Sequence, residues 1–153
     1  MRPSLLLSAI VLAAGSASAA QACRVMMAPE QKVAGGYEYG VISAVALVEI
    51  EQAEHISEPV FLKDKSQLYA HPWRATARLI APLRGDGPFP ETMEFERGYG
   101  SPACEWTVPA LPATGDRWVV YFFTGIEGRL MPWQSFPQAE ATRIDPKLSP
   151  QTR

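Results

Sequence analysis

From residue 37 onward, apolar and polar positions trade places with a period near two rather than 3.6. Tyr39 to Ile50 carries Val41, Ile42, Val45, Leu47, Val48 and Ile50, with alanines at 44 and 46. Its β-branched content and lack of a helical period predict a long strand buried on both sides. Glu51 to Ser66 is charged and aperiodic, with Pro59 inside it, and predicts a loop or a short edge segment. After His71-Pro72, Trp73, Ala75, Ala77 and Leu79 alternate with Arg74, Thr76 and Arg78, the pattern of a half-exposed strand. Glu91 to Arg97 alternates again, with Met93 and Phe95 on one side and Thr92, Glu94 and Glu96 on the other. Trp118 to Phe123 is a further strand, and Arg129 to Trp133 its return across a hairpin loop at Thr124–Gly128.

Turn chemistry separates these runs. Arg84-Gly85-Asp86-Gly87-Pro88 combines glycines that accept positive φ with a proline that ends pairing, and Thr114-Gly115-Asp116 is a second turn. Gly98 to Pro112 reads as irregular. Gln138 to Ile144 has room for one or two helical turns, and residues 146–153 read as a flexible polar tail. Every aromatic residue lies at or after Tyr37, which places the start of the ordered core there, and the apolar stretch Met131–Phe136 reads as a lid on it. With 14 prolines and 11 glycines in 153 residues, a helical bundle is excluded. The expectation is an all-β chain with a short C-terminal helical segment, its five strands closed into a barrel that leaves no exposed edge.

The N-terminus carries an address. One basic residue, Arg2, precedes the apolar run Leu5–Ala14, and small residues follow to Ala22. That order is a secretory signal over residues 1–22, cut after Ala19, Ala20 or Ala22, and its apolar run is too short for a permanent span. The remaining 23–145 is one domain, exported to a periplasmic or extracellular space; a lipid on Cys23 is the less favoured alternative. Two cysteines in an oxidising compartment, Cys23 and Cys104, read as one disulfide. Closing the chain from 23 to 104 contributes roughly 4–5 kcal/mol in the chain-entropy account.

The order of these pieces resembles a known family. A cysteine follows the signal, Gly40 leads a long apolar strand, and the alternating strand Trp73–Leu79 ends at Leu83-Arg84-Gly85. A cysteine then lies in a Gly/Pro loop before Gly115-Asp116-Arg117-Trp118-Val119-Val120-Tyr121-Phe122. Over residues 23–135 this is similar to the netrin-like domain, the OB-fold shared with tissue inhibitors of metalloproteinases, and above all to its small exported bacterial type. The resemblance implies a five-stranded OB-fold-like barrel. It also implies that Cys23, followed by Arg24, presents its amino group and carbonyl to a protease's zinc, with Cys104 as its anchor. Gly98–Ala103, including Tyr99, Ser101 and Pro102, would be the neighbouring contact loop. Those inhibitors begin Cys-x-Cys, whereas Cys23-Arg24-Val25 has a single cysteine.

Charge and missing motifs narrow the function. Fourteen basic against 16 acidic residues give a net charge of −2, which excludes an electrostatic footprint for nucleic acid. Arg74 and Arg78 share one strand face while Trp73 occupies the other, so no stacking platform interleaves with the cations. His55 and His71, the only histidines, have no recognised ligand spacing and read as surface or packing residues, so no metal and no cofactor is expected. Neither a Gly-x-Ser-x-Gly elbow nor a phosphate-binding glycine loop is present, and Glu94 and Glu96 read as a solvated face, so no catalytic residue is assigned. The sequence therefore predicts an exported, non-catalytic binding module that engages another exported protein or the envelope surface, with no transmembrane segment in the mature chain. The alternatives are a metalloprotease inhibitor acting through Cys23 and a passive structural component of the envelope.

Overall fold

A computed structural model describes residues 27–61, 68–99 and 109–148. The order is helix α1 (Pro29–Glu38), strands β1 (Ala44–His55), β2 (Val60–Phe61), β3 (Leu68–Ala70), β4 (Trp73–Arg84), β5 (Thr92–Arg97), β6 (Arg117–Thr124) and β7 (Leu130–Pro137), then helix α2 (Gln138–Ile144). Short 3-10 turns lie at Ile126–Gly128 and Pro146–Leu148. Five strands form one antiparallel sheet in the order β5-β4-β1-β6-β7, and β2 and β3 make a separate two-stranded ribbon.

The period-two reading holds where side chains carry it. Trp73, Ala75 and Ala77 are buried, Met93 and Phe95 face the same core, and α2 occupies Gln138–Ile144 as expected. Predicted boundaries move in three strands: β4 runs past Leu79 to Arg84, β7 runs past Trp133 to Pro137, and the first strand shifts at both ends. The first strand begins at Ala44, and Val41 and Ile42 instead close α1 by donating to the carbonyl of Gly36 at 2.8 and 2.9 Å. That strand also continues through Glu51–His55, where a loop or a short edge segment was expected, because β4 supplies a backbone ladder: Gln52 opposes Thr76, Glu54 opposes Arg74 and His55 opposes Trp73. Main-chain pairing is indifferent to the side-chain charge that obscured it.

Helix α1, most of which precedes the first aromatic residue, Tyr37, is the element the pattern missed. Pro29 opens it, and the Gln31 side chain accepts the Ala28 N–H at 3.1 Å. It docks through close approach at Gly36 as well as through the buried Val33 and the half-buried Tyr37. A Cβ on Gly36 would lie 2.7 Å from both Ile42 Cδ1 and Trp133 Cζ3.

The sheet separates two cores. One face buries Trp73, Phe95, Trp118 and Phe122, with the two indole rings edge-on at 5.4 Å and 83°. The other face buries Val45, Val119, Tyr121 and Phe136 beneath Val33 of α1 and Ala141 and Ile144 of α2. At this second interface sits a fully buried carboxylate, Asp145. Its Oδ2 accepts from Tyr37 Oη at 2.8 Å and Tyr121 Oη at 3.2 Å, and its Oδ1 accepts the Lys147 N–H at 2.9 Å. Leu148, in the segment expected to be a tail, packs on the same cluster.

The sheet does not close into a barrel. β5 and β7 are its two edges, with no ladder between them among the described residues. Pro132 and Pro137 remove two N–H donors from β7, which suits an edge strand. A side chain crosses the gap instead: Arg97 Nη1 donates to the Ser135 carbonyl. Met131–Phe136, expected as a lid, is part of β7 itself.

Two outcomes test this packing. Tyr121→Phe leaves Asp145 one donor short and should cost about 1–3 kcal/mol in urea unfolding. Burial first, and the Asp145 carboxylate second, raise the phenols of Tyr37 and Tyr121 far above the usual tyrosine range. The folded chain therefore holds these protons more tightly than the unfolded one. Stability should be complete below about pH 10, fall as pH rises above it, and fall less steeply in Tyr121→Phe. Separately, Gly85 has φ +85° and its added Cβ would lie 2.4 Å from the Ser43 carbonyl oxygen, so Gly85→Ala should cost about 2–4 kcal/mol in the same assay.

Candidate functional site

A cleft of about 630 Å³ opens at the end of the sheet where the β6 and β7 strands meet α2. Its walls are contributed by separate parts of the chain. Met27, Pro29 and Lys32 come from the start of the described chain, and Pro109–Pro112 from the segment leading into β6. Ser135–Glu140 comes from the β7–α2 junction. Arg97, Asp116, Arg117 and Trp118 complete it, so apolar surface alternates with charges of both signs.

Each wall has a local reason to be there. Trp73 is fully buried, and its Nε1–H donates to the Pro109 carbonyl at 2.9 Å, fixing the loop against the core. The following turn is held by the Ala113 N–H donating to Asp116 Oδ2 at 2.8 Å and by Gly115 N–H donating to the Ile50 carbonyl at 2.8 Å. Arg97 Cζ lies 5.3 Å from the Phe136 ring centre, so the residue that spans the β5–β7 gap also forms part of the cleft wall.

Of the residues that the sequence singled out for binding, Cys23, Arg24, Ser101, Pro102 and the anchor Cys104 lie outside the described residues. Tyr99 is described and exposed, but it does not line the cleft. Its hydroxyl donates to Glu96 Oε2 on the outer face of the sheet. There Arg74 binds Glu96 Oε1 at 2.6 Å and Glu94 Oε1 at 3.3 Å, and Arg78 binds Glu49 at 3.0 Å. The Tyr99 hydrogen bond, then Arg74, holds the Glu96 carboxyl below the ordinary carboxylate range. Glu96 in turn raises the Tyr99 phenol. Arg74 opposes Glu96 and Arg78 opposes Glu49 in the strand register, so these are cross-strand pairs on a solvated face, where screening leaves each a small contribution.

The cleft walls themselves escaped the sequence reading. Met27 and Pro109–Pro112 show no periodicity, and prolines in an irregular segment signal only the absence of a ladder. The one available clue was Trp73, whose indole N–H needs a partner once buried. His55 and His71 lie outside the cleft and stack on each other. Among the described residues there is no group of three or more His, Cys, Asp or Glu side chains that could hold a metal ion, and no helix is long and apolar enough to cross a membrane.

Trp73→Phe removes the donor to Pro109 and part of the core volume. It should cost about 1–3 kcal/mol in urea unfolding and speed limited proteolysis between residues 109 and 113 relative to the rest of the chain. No protein-family model, curated protein or solved structure matches the chain, which leaves the geometry at this end of the sheet as the basis for its function.

Proposed function

We propose that this chain is an exported, non-catalytic binding module on an OB-type sheet, and that it engages another exported or envelope protein through the cleft end. The observation that carries the reading is a convergence. Met27 lies four residues after Cys23 and Pro109 five residues after Cys104, and both line the same cleft. Extended chain reaches at most about 14 Å over four residues and about 18 Å over five, so a Cys23–Cys104 bridge is compatible with these anchors. A sheet with the first strand central, β4 and β5 to one side and β6 and β7 to the other supports the OB-type reading, since that is the arrangement of a partly open five-stranded barrel. Mixed charge around prolines and Phe136 suits a protein surface better than a phosphate backbone.

The same convergence favours a second reading, inhibition of a metalloprotease through Cys23, because the chain leading from Cys23 and the chain leading from Cys104 meet at one end. It requires a free amino group on Cys23. Intact mass of the exported protein, with and without reductant, decides it: a start at Cys23 and a mass 2 Da below the dithiol sustain inhibition, and a start at Ala20 or Gln21 ends it.

Site-specific photocrosslinking tests the main reading. A photoreactive residue at Leu111, on the cleft, should yield an adduct of discrete mass in the exporting cell. One at Ile126, fully exposed on the β6–β7 hairpin and outside the cleft, should not. Equal adducts from the two positions, or none from either, would overturn it.

A further inference from the structure

The two histidines, 16 residues apart in the chain, come together in the fold. His55 ends β1 and His71 precedes β4, and their rings lie face to face with centroids 3.3 Å apart and planes within 2°. Their backbones are held independently of that contact. His55 opposes Trp73 in the ladder, the Ile56 N–H donates to the Pro72 carbonyl at 2.9 Å, and the His71 N–H donates to the Gly98 carbonyl at 3.0 Å. Gly98, at φ +82°, allows that approach, since a Cβ there would lie 2.7 Å from the His71 carbonyl oxygen.

We propose that His55 and His71 form a two-imidazole site for a late first-row divalent cation such as Cu²⁺ or Zn²⁺. Stacking supplies modest attraction, whereas two imidazoles on fixed backbones this close together lie within reach of a single cation. Metal–nitrogen bonds of ~2.0–2.1 Å at a tetrahedral angle hold the two nitrogens about 3.3 Å apart. The 3.3 Å between ring centres is a stacking distance, and parallel rings aim their in-plane lone pairs past each other, so both side chains rotate out of the stack to converge on one cation while the backbones stay in place. The site accepts the cation through imidazole nitrogen lone pairs, with water in the remaining positions. Imidazole ligands select Cu²⁺, Ni²⁺ and Zn²⁺ over Mg²⁺ and Ca²⁺, with Cu²⁺ the tightest of the series. His55 is exposed and His71 half-buried, which leaves an entry path.

The test uses the purified, metal-stripped chain and CuCl₂ alone as the probe. Titration calorimetry should give one site dependent on both residues, with affinity falling at least about tenfold in His55→Asn or His71→Asn, because each loses the intramolecular second ligand. Electron paramagnetic resonance of the equimolar complex of the unsubstituted chain should show coupling to two imidazole nitrogens, a readout that holds even if a variant unfolds. Saturating Cu²⁺ should raise the unfolding midpoint of the unsubstituted chain and leave His55→Asn/His71→Asn unmoved. Coupling to a single nitrogen, or an isotherm of the double variant that matches the original, would overturn the proposal. Copper held at the chain's amino terminus survives in the double variant, so it is separated from binding at the pair.

Discussion

Strand β1 is the constraint on which the rest of the molecule depends. Its first half, Ala44–Ile50, lies between two hydrogen-bonded neighbours and between two cores at once, so its backbone groups are paired and its side chains, the half-exposed Glu49 and the half-buried Leu47 apart, are out of water. Ala44, Ala46, Val48 and Ile50 serve one core, and Val45 and Leu47 the other. A charge at any of these positions has no solvated alternative. Register irregularities at Val45/Ala46, Leu47/Val48 and Ile50/Gln52 add twist, which lets a single strand serve two layers.

Everything outward of β1 follows from its two partners. β4 carries β5 as a hairpin, β6 carries β7, and the sheet therefore ends in two edges rather than meeting itself. Arg97 spans that opening to the Ser135 carbonyl and also forms part of the cleft wall, which links the unclosed edge to the candidate site. On the opposite face the helices are locked by polar chemistry as well as packing. Asp145 draws hydroxyls from α1 and β6 onto one buried carboxylate, so three segments distant in sequence share its satisfaction.

The parts legible in advance were those whose side chains report their own surroundings. Met93 and Phe95 alternate with Glu94 and Glu96, and they face core and solvent as written. Glycines 85 and 115 sit at positive φ in the turns their neighbours announced. Where main-chain contacts decide, the pattern was silent. Glu51–His55 is strand because β4 extends alongside it, and α1 docks because Gly36 has no side chain. Among the binding candidates, Tyr99 was placed by the acidic residue three positions before it, Glu96, and so faces the charged outer surface instead of the cleft.

By itself, the sequence determined that five amphipathic or fully apolar strands would exist, where most of their turns would fall, and which side chains each would bury. It determined these because alternation and turn residues are local properties, written within a few positions of where they act. Only the tertiary structure decided that the sheet stays open, and that Met27 and Pro109 share a cleft. The meeting of Asp145 with Tyr37 and Tyr121, and of His55 with His71, was also decided there. Each is a contact between segments far apart in the chain, set by backbone pairing and close approach, and neither leaves a periodic trace in the residues that take part.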